Sequence, residues 1–224
     1  MKSTPGNDLL ELLPERIRAE LRKEDRRYLR RHSSRLRSTL ALVNALQVTS
    51  ILDVGSGGGI FLLLVPPTWR RMAVDSPSNA KLAKKQGLDS LGLDLEDEDF
   101  PLEDNSFELV TLLEVIEHIR NKEHVISEIY RVLKPNGILI VTTPDARNPF
   151  WWLRDHMFDA PGVGKMVFKL RTGRLPDSLD LHKGRIGENE LTDLISSQRF
   201  ATVGLGRFKI FRPNDDIVLI ARKL

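Results

Sequence analysis

The chain has 224 residues and a mass of 25.5 kDa, with 41% hydrophobic residues, 29% charged residues and no cysteine. This composition is typical of a globular protein, and it excludes a disordered or fibrous chain, a disulfide framework, a thiolate metal site and a cysteine nucleophile. The length suits one large α/β domain, or one domain with a small appendage.

The positive charge of the chain is concentrated near its N-terminus. The formal net charge is +3 and the isoelectric point about 9.2, values that alone would favour nucleic acid or an acidic membrane as a partner. Residues 1–40, however, hold 11 Lys and Arg against 6 Asp and Glu, so the rest of the chain is slightly acidic. A weak contact with anionic membrane or RNA is therefore assigned to residues 16–37, and the acidic body suits a cationic ligand.

The N-terminal segment predicts helices. Apolar residues between Leu10 and Tyr28 recur mostly at three- and four-residue steps, which indicates an amphipathic helix, and a further helix is expected at 38–47. Residues 1–47 are thus predicted to form a helical extension. The chain shows no apolar run of signal-peptide or membrane-spanning length, so we expect a cytoplasmic protein, either a monomer or a homodimer.

From residue 48 onward, predicted strands alternate with predicted helices. The strands are expected at 50–54, 71–74, 90–93, 107–113 and 138–142, and the helices at 60–64, 79–86 and 115–133. Such alternation predicts right-handed βαβ crossovers and a mainly parallel sheet. The tail differs, because a helix at 188–198 precedes two strands, at 200–211 and 217–222, which form a hairpin. We therefore predict a doubly wound α/β fold with a seven-stranded sheet whose last strand is antiparallel.

A glycine-rich turn follows the first predicted strand. Such a turn between a strand and a helix is typical of a nucleotide-type binding site, because glycine lets the backbone approach the ligand closely. The dinucleotide pattern GxGxxG requires a sixth-position glycine, where this chain has Ile60, and the phosphate loop ending in Lys-Ser/Thr is also absent. The remaining pattern is an acid, Asp53, followed by Gly55, Gly57 and Gly59 at alternate positions.

The segment ILDVGSGGG resembles the first motif of class I S-adenosylmethionine-dependent methyltransferases. The segments at 100–110 and 114–118 are similar to the "lPf.dnsFD.V…evieH" pattern of the ubiquinone/menaquinone branch, and 131–137 is similar to its "r.LkpgG" pattern. The resemblance covers residues 48–145 and implies a Rossmann-like fold. A cofactor with a cationic sulfonium and no phosphate is compatible with a carboxylate beside the glycine loop.

The resemblance also implies the cofactor site. It places the methionine part of the cofactor at Asp53 and the glycine loop, the ribose at Asp75 and the adenine at Asp94 and Leu95, with Asp97 as the alternative acid. It places the methyl-transfer side after the fourth strand, where His118 is also the candidate general base. The full set of predicted cofactor-binding residues is Asp53, Gly55, Ser56, Gly57, Gly59, Asp75, Ser76, Asp94, Leu95, Leu113, Glu114 and His118. No metal site is predicted.

An insertion at about 146–184, rich in aromatic residues, is interpreted either as a lid over the acceptor or as a helical subdomain with its own small core. As a lid, it would offer apolar side chains to the acceptor and basic side chains to an anionic group on it. The aromatic residues are Phe150, Trp151, Trp152, Phe158 and Phe168; the basic ones are Arg147, Arg154, Lys165, Lys169 and Arg171. Candidate polar contacts are Asp145, Asn148 and His182.

The function that we predict is methyl transfer from S-adenosylmethionine to an O, N or C nucleophile of a small aromatic or lipid-like acceptor. RNA methylation through the basic N-terminal segment is one alternative, and a non-catalytic protein that binds the cofactor for assembly or sensing is another. The absence of cysteine excludes C5 methylation of pyrimidines by a cysteine nucleophile. A nicotinamide-dependent oxidoreductase is disfavoured by Ile60.

Overall fold

A computed structural model describes residues 9–146, 186–209 and 215–224. Strands in these ranges form one seven-stranded sheet. They are β1 (Ser50–Val54), β2 (Arg70–Asp75), β3 (Asp89–Gly92), β4 (Phe107–Leu113), β5 (Leu133–Pro144), β6 (Phe200–Lys209) and β7 (Asp215–Lys223). The predicted insertion at about 146–184 lies almost entirely outside the described residues, and so does most of the turn between β6 and β7.

The strand order is β3-β2-β1-β4-β5-β7-β6. Strands β1 to β5 pair in parallel, whereas β7 pairs antiparallel with both β5 and β6. The predicted doubly wound fold with an antiparallel last strand is therefore confirmed. In this topology the strand order reverses at β1, since β2 and β3 lie on one side of it and β4 and β5 on the other. The carboxyl ends of β1, β2 and β4 meet at one edge beside this point, where open α/β sheets bind ligands.

The helices confirm most of the predicted pattern. The α-helices are α1 (Glu15–Glu20), α2 (Lys23–Arg31), α3 (Ser33–Ala45), α4 (Pro77–Lys85), α5 (Lys122–Val132) and α6 (Glu188–Ser197). The helix expected at 60–64 is wrong, because turns and a short 3-10 helix at Leu62–Leu64 occupy the few residues between the glycine loop and Pro66. The helix expected at 115–133 is split, since Ile119 is extended and separates a 3-10 helix at Ile116–His118 from α5.

The two faces of the sheet bury different sets of helices. Val110 and Leu112 of β4 pack on the face covered by α5 and α6, whereas Leu109 points to the opposite face. That second face is covered by α3, whose Leu36 and Val43 are completely buried. Burying one such side chain contributes about 1.5–3 kcal/mol, so α3 is docked firmly on the sheet.

None of the helices within these described ranges combines the length and the apolar character needed to cross a membrane.

Candidate functional site

The glycine loop leaves β1 at the edge where the parallel strands end. Gly55, Gly57 and Gly59 have φ angles of +71°, +57° and +78°, a region that side chains disfavour. A Cβ on Gly55 would lie 2.3 Å from Val115, and one on Gly59 would lie 2.4 Å from Leu88, so packing alone requires these two glycines. A Cβ on Gly57 would meet no described atom within 4 Å. Gly57 is therefore the point at which a ligand can approach the backbone.

Asp75, at the end of β2, is hydrogen-bonded to this open position. The Gly57 amide donates to Asp75 Oδ2 over 2.7 Å. The Ser76 amide and the Asn79 side chain donate to Asp75 Oδ1 over 2.7 and 2.8 Å. Three donors fix the carboxylate, so the structure brings the predicted residues Gly57, Asp75 and Ser76 together at one rigid corner.

Asp53 lies in β1 just before the loop and is only 3% exposed. Its Oδ1 accepts a hydrogen bond from the Thr111 hydroxyl over 2.7 Å. Burial raises the pKa of Asp53 to about 7; the Thr111 hydrogen bond opposes this rise, and the nearby charge of Asp75 adds to it. A cation bound close to Asp53 would favour the ionised form of this carboxyl, because opposite charges attract strongly where solvent is excluded.

The predicted adenine-side residues follow β3. Leu95 is half-buried and packs against the apolar core, whereas Asp94 and Asp97 are exposed. Asp94 organises the following turn, because its Oδ1 accepts from the Glu96 amide over 3.0 Å and its own amide donates to Glu98 Oε1 over 2.7 Å. The turn therefore accounts for one carboxylate oxygen of Asp94.

The chain leaves β4 through the half-buried Leu113 and then Glu114, whose φ is +60°. A non-glycine residue in this conformation costs about 1–3 kcal/mol and persists only where its surroundings fix it. Thr142 of β5 contributes to that fixation, since its carbonyl accepts from the Glu114 amide over 2.9 Å and its hydroxyl donates to Glu114 Oε1 over 3.1 Å. The Glu114 carboxylate thus has a defined place beyond the end of β4.

The 3-10 helix that follows buries Glu117 and leaves His118 exposed. Glu117 is 2% exposed, and its Oε2 accepts from the Thr143 hydroxyl over 3.1 Å. Burial raises the pKa of Glu117 well above its usual range, whereas partial burial of the imidazole lowers the pKa of His118. The structure therefore adds Glu117, which the sequence analysis did not select, to His118 as a group that can hold or accept a proton.

Arg35 of α3 was also missed, and it lies in direct contact with a predicted site residue. It is 2% exposed, and its Nη1 lies 2.9 Å from Glu114 Oε2 and 3.5 Å from Asp216 Oδ2. Its Nη2 donates to the Tyr28 hydroxyl over 3.3 Å. The sequence gives little signal for this contact, because Arg35 is one of several basic residues in its segment and Glu114 lies 79 positions away.

Of the candidate polar contacts to the acceptor, Asp145 lies within the described residues. This carboxylate is 4% exposed and lies 3.1 Å from Arg207 Nη2, which also pairs with Glu188 over 2.6 Å. Asp145 is thus paired with β6 just beyond the end of β5. The other predicted acceptor contacts lie outside the described residues; they are the aromatic and basic residues of the insertion together with Asn148 and His182.

Comparison with known proteins finds a family match in the central part of the chain. Residues 52–141 match the family model described as a methyltransferase domain. Over 127 residues the chain is 30% identical to a ubiquinone/menaquinone biosynthesis C-methyltransferase from Desulfotalea psychrophila, with 52% of each chain covered. It is also 35% identical over 106 residues to a ubiquinone biosynthesis O-methyltransferase from Rickettsia prowazekii, covering 45% of this chain and 42% of that one. The chain thus spans about half the length of these two curated relatives.

The solved structures agree on the fold. A SAM-dependent methyltransferase from Thermotoga maritima superposes with a TM-score of 0.63 at 23% sequence identity, covering 90% of this chain and 95% of the other. The fold shared with this structure therefore covers more of the chain than the segment matched by the family model.

Proposed function

We propose that this chain, whose residues 52–141 match the family model described as a methyltransferase domain, transfers a methyl group from S-adenosylmethionine to a small-molecule acceptor. The products are S-adenosylhomocysteine and the methylated acceptor. The observation that carries the proposal is the corner formed by Gly57 and Asp75, where an open backbone position adjoins a fixed carboxylate.

The residues at this corner fit the cofactor. Asp75 accepts from the ribose, since its three donors occupy three of about four lone-pair sites of the carboxylate and leave one for a ribose hydroxyl. The methionine part lies along Gly55 to Gly59, with Ser56 at the turn, and its ammonium and sulfonium charges face the acidic edge that contains Asp53. A pyrophosphate at the glycine loop would be repelled by Asp53 when it is ionised, which favours this cofactor over a dinucleotide; an acid in the position of Asp75 is common to both kinds of site.

The adenine lies between Leu95 and the turn organised by Asp94. Leu95 supplies an apolar face at the rim of the core, and Asp94 is exposed at the start of the turn. Leu113, Glu114 and His118 line the methyl-transfer side beyond β4. The adenine position depends on residues after β3, whereas the methyl-transfer side depends on residues after β4.

The methyl transfer itself is a matter of position. S-adenosylmethionine, when bound, supplies an activated methyl group on a sulfonium. The chain has to hold the acceptor nucleophile in line with that methyl group, at about 3 Å, and to exclude water. His118 or Glu117 removes the proton from an acceptor that must lose one. An acceptor that is already nucleophilic needs no base.

The acceptor is proposed to be an aromatic or lipid-like small molecule with an O, N or C nucleophile. The similarity to relatives named as a C-methyltransferase and an O-methyltransferase of quinone biosynthesis supports a small acceptor. The aromatic residues of the insertion at about 146–184 support an apolar one. The acceptor atom differs between these two relatives, since one is named as a C-methyltransferase and the other as an O-methyltransferase.

The cofactor assignment is tested by thermal denaturation with S-adenosylhomocysteine, S-adenosylmethionine and NAD. At a ligand concentration of 100 Kd, binding stabilises a protein by about 2.7 kcal/mol, which corresponds to roughly 5–11 °C for a chain of this size. We expect this shift with the first two ligands in the wild type and its loss in Asp75→Asn. Asp193→Asn, which alters an exposed carboxylate on α6, should retain the shift. A shift with NAD alone would refute the proposal.

Turnover is tested with a panel of phenolic, quinone-like, amine and lipid acceptors, by measuring S-adenosylhomocysteine formed from S-adenosylmethionine. We expect at least one acceptor class to give product above the acceptor-free rate. Binding of the cofactor without product from any class would favour the alternative of a non-catalytic binding protein.

A further inference from the structure

Two observations set Arg35 apart from an ordinary surface arginine. It belongs to α3, outside the segment matched by the methyltransferase-domain model, yet it forms its shortest ion pair, 2.9 Å, with Glu114 at the end of β4. Its side chain is only 3% exposed, and its Nε is buried with no hydrogen-bond partner in the described residues. Water contributes little here, so the contacts of Arg35 are the means by which its charge is compensated.

Stability alone is a weak reason to keep such a group. Moving a guanidinium and a carboxylate out of water costs about as much as their attraction returns, and apolar side chains of similar size are often as stabilising. Leu36 and Val43 already dock α3 on the sheet through apolar burial. The position of the guanidinium is therefore better explained by what it does to Glu114 than by helix docking.

Glu114 is held from two sides. Thr142 binds its amide and Oε1, and Arg35 binds Oε2. These contacts keep the residue at a φ of +60°, a conformation that needs support from its surroundings. Burial raises the pKa of Glu114, and Arg35 opposes that rise. Without Arg35, the carboxyl would keep its proton to a higher pH and would lose one of its two anchors.

We infer that Arg35 is a positioning residue of the methyl-transfer site, which orients the Glu114 carboxyl group toward the cationic part of S-adenosylmethionine and favours its ionised form. The inference rests on the proposed function. It makes α2 and α3 part of the active site, because Tyr28 of α2 accepts a hydrogen bond from the same guanidinium. The groups that face this pair are Asp216 of β7, Glu117 of the 3-10 helix and Tyr28.

The test compares Arg35→Met, Arg35→Lys, Glu114→Gln and the double variant Arg35→Met/Glu114→Gln by calorimetric titration with S-adenosylmethionine and S-adenosylhomocysteine. Arg30→Met is the matched control, since Arg30 is exposed on α2. We expect Arg35→Met to weaken S-adenosylmethionine binding at least tenfold at pH 7 and to recover part of it at pH 9, where Glu114 ionises without its partner. Arg35→Lys should be intermediate, and Arg30→Met should bind like the wild type.

The double variant separates positioning from a merely structural role. If Arg35 acts through Glu114, the double variant binds no more weakly than Arg35→Met at pH 7 and shows no recovery at pH 9. Additive losses, equal losses for both ligands without recovery at high pH, or wild-type binding by Glu114→Gln would each overturn the inference. If Arg35→Met does not fold, the binding of S-adenosylmethionine by Glu114→Gln still tests the inference. A wild-type protein that binds neither ligand would instead refute the proposed function.

Discussion

Replacing Gly57 by alanine adds one methyl group and should affect ligand binding more than backbone stability. Gly57 and Gly87 both have positive φ angles, +57° and +82°, and at both positions a Cβ would meet no described atom within 4 Å. Alanine at either position therefore pays the same backbone penalty, about 1–2 kcal/mol for a left-handed L-residue. That penalty lowers Tm by roughly 2–8 °C in a protein of this size. Gly87 lies between α4 and β3; its neighbours Gln86 and Leu88 contact Gly58 and Gly59, whereas a Cβ on Gly87 itself would enter open space.

The two substitutions differ in what the added methyl group faces. At Gly57 the methyl group enters open space, through which the cofactor approaches the loop in the proposed function. We therefore expect Gly57→Ala to lose most of the stabilisation of about 2.7 kcal/mol that S-adenosylhomocysteine provides at 100 Kd. Gly87→Ala should keep it in full. The assay is thermal denaturation of both variants with and without the ligand, followed by calorimetric titration. The reasoning is refuted if the two variants keep equal ligand shifts despite equal losses of intrinsic stability.

Three further outcomes are expected. Burial raises the pKa of Asp53 from 3.8 to about 7, so the stability of the ligand-free protein should fall as pH rises from about 4 to 7. The affinity for S-adenosylmethionine should rise toward pH 8, because Asp53 ionises over this range. In Asp53→Asn, both the stability measured by denaturation and the affinity measured by titration should depend less on pH. Glu108 accepts from the Thr49 amide (2.6 Å) and pairs with Lys134 (3.1 Å). Because the Glu108 side chain is partly exposed, Glu108→Gln should lower the free energy of unfolding by only about 1 kcal/mol. The difference in stability between wild type and variant, measured by denaturation, should decrease as pH falls from 4.5 toward the Glu108 pKa of about 2. Finally, charge reversal at the exposed Arg27 and Arg30 should reduce binding to anionic vesicles or RNA if α2 forms the expected anionic contact; unchanged binding would refute that contact.

The fold could be predicted because its signals are local in the sequence. Strands β1 and β4 are short apolar runs, and the positive-φ positions of the glycine loop hold glycines, which tolerate that conformation. The error at 60–64 has the same origin, since apolar periodicity over five residues cannot distinguish a helical turn from a buried loop. Only the packing of Ile60 to Val65 under α3 shows which of the two forms.

Contacts within the site could be predicted where both residues lie at the ends of neighbouring strands, but not where they come from elements far apart in the sequence. Gly57 and Asp75 belong to adjacent strand ends, so the spacing of the motifs already brings them close. Arg35 and Glu114 are 79 positions apart, and their contact depends on how α3 lies across the sheet. Glu117 and His118 are neighbours, but a 3-10 helix decides which of them is buried, and the sequence pattern does not encode that choice.

The distribution of charge takes a different meaning once Arg35 is located. The sequence separates a basic N-terminal segment from a slightly acidic body, as if the two had separate partners. Yet Arg35, counted in the basic excess, compensates Glu114 and Asp216 at the acidic edge. The cationic cofactor of the proposed function would compensate charge at the same edge. A substitution that removes the charge of Arg35 in α3 should therefore alter cofactor binding, whereas one on the exposed face of α2 should not. The basic N-terminal segment thus contributes to the electrostatics of the acidic body instead of acting separately from it.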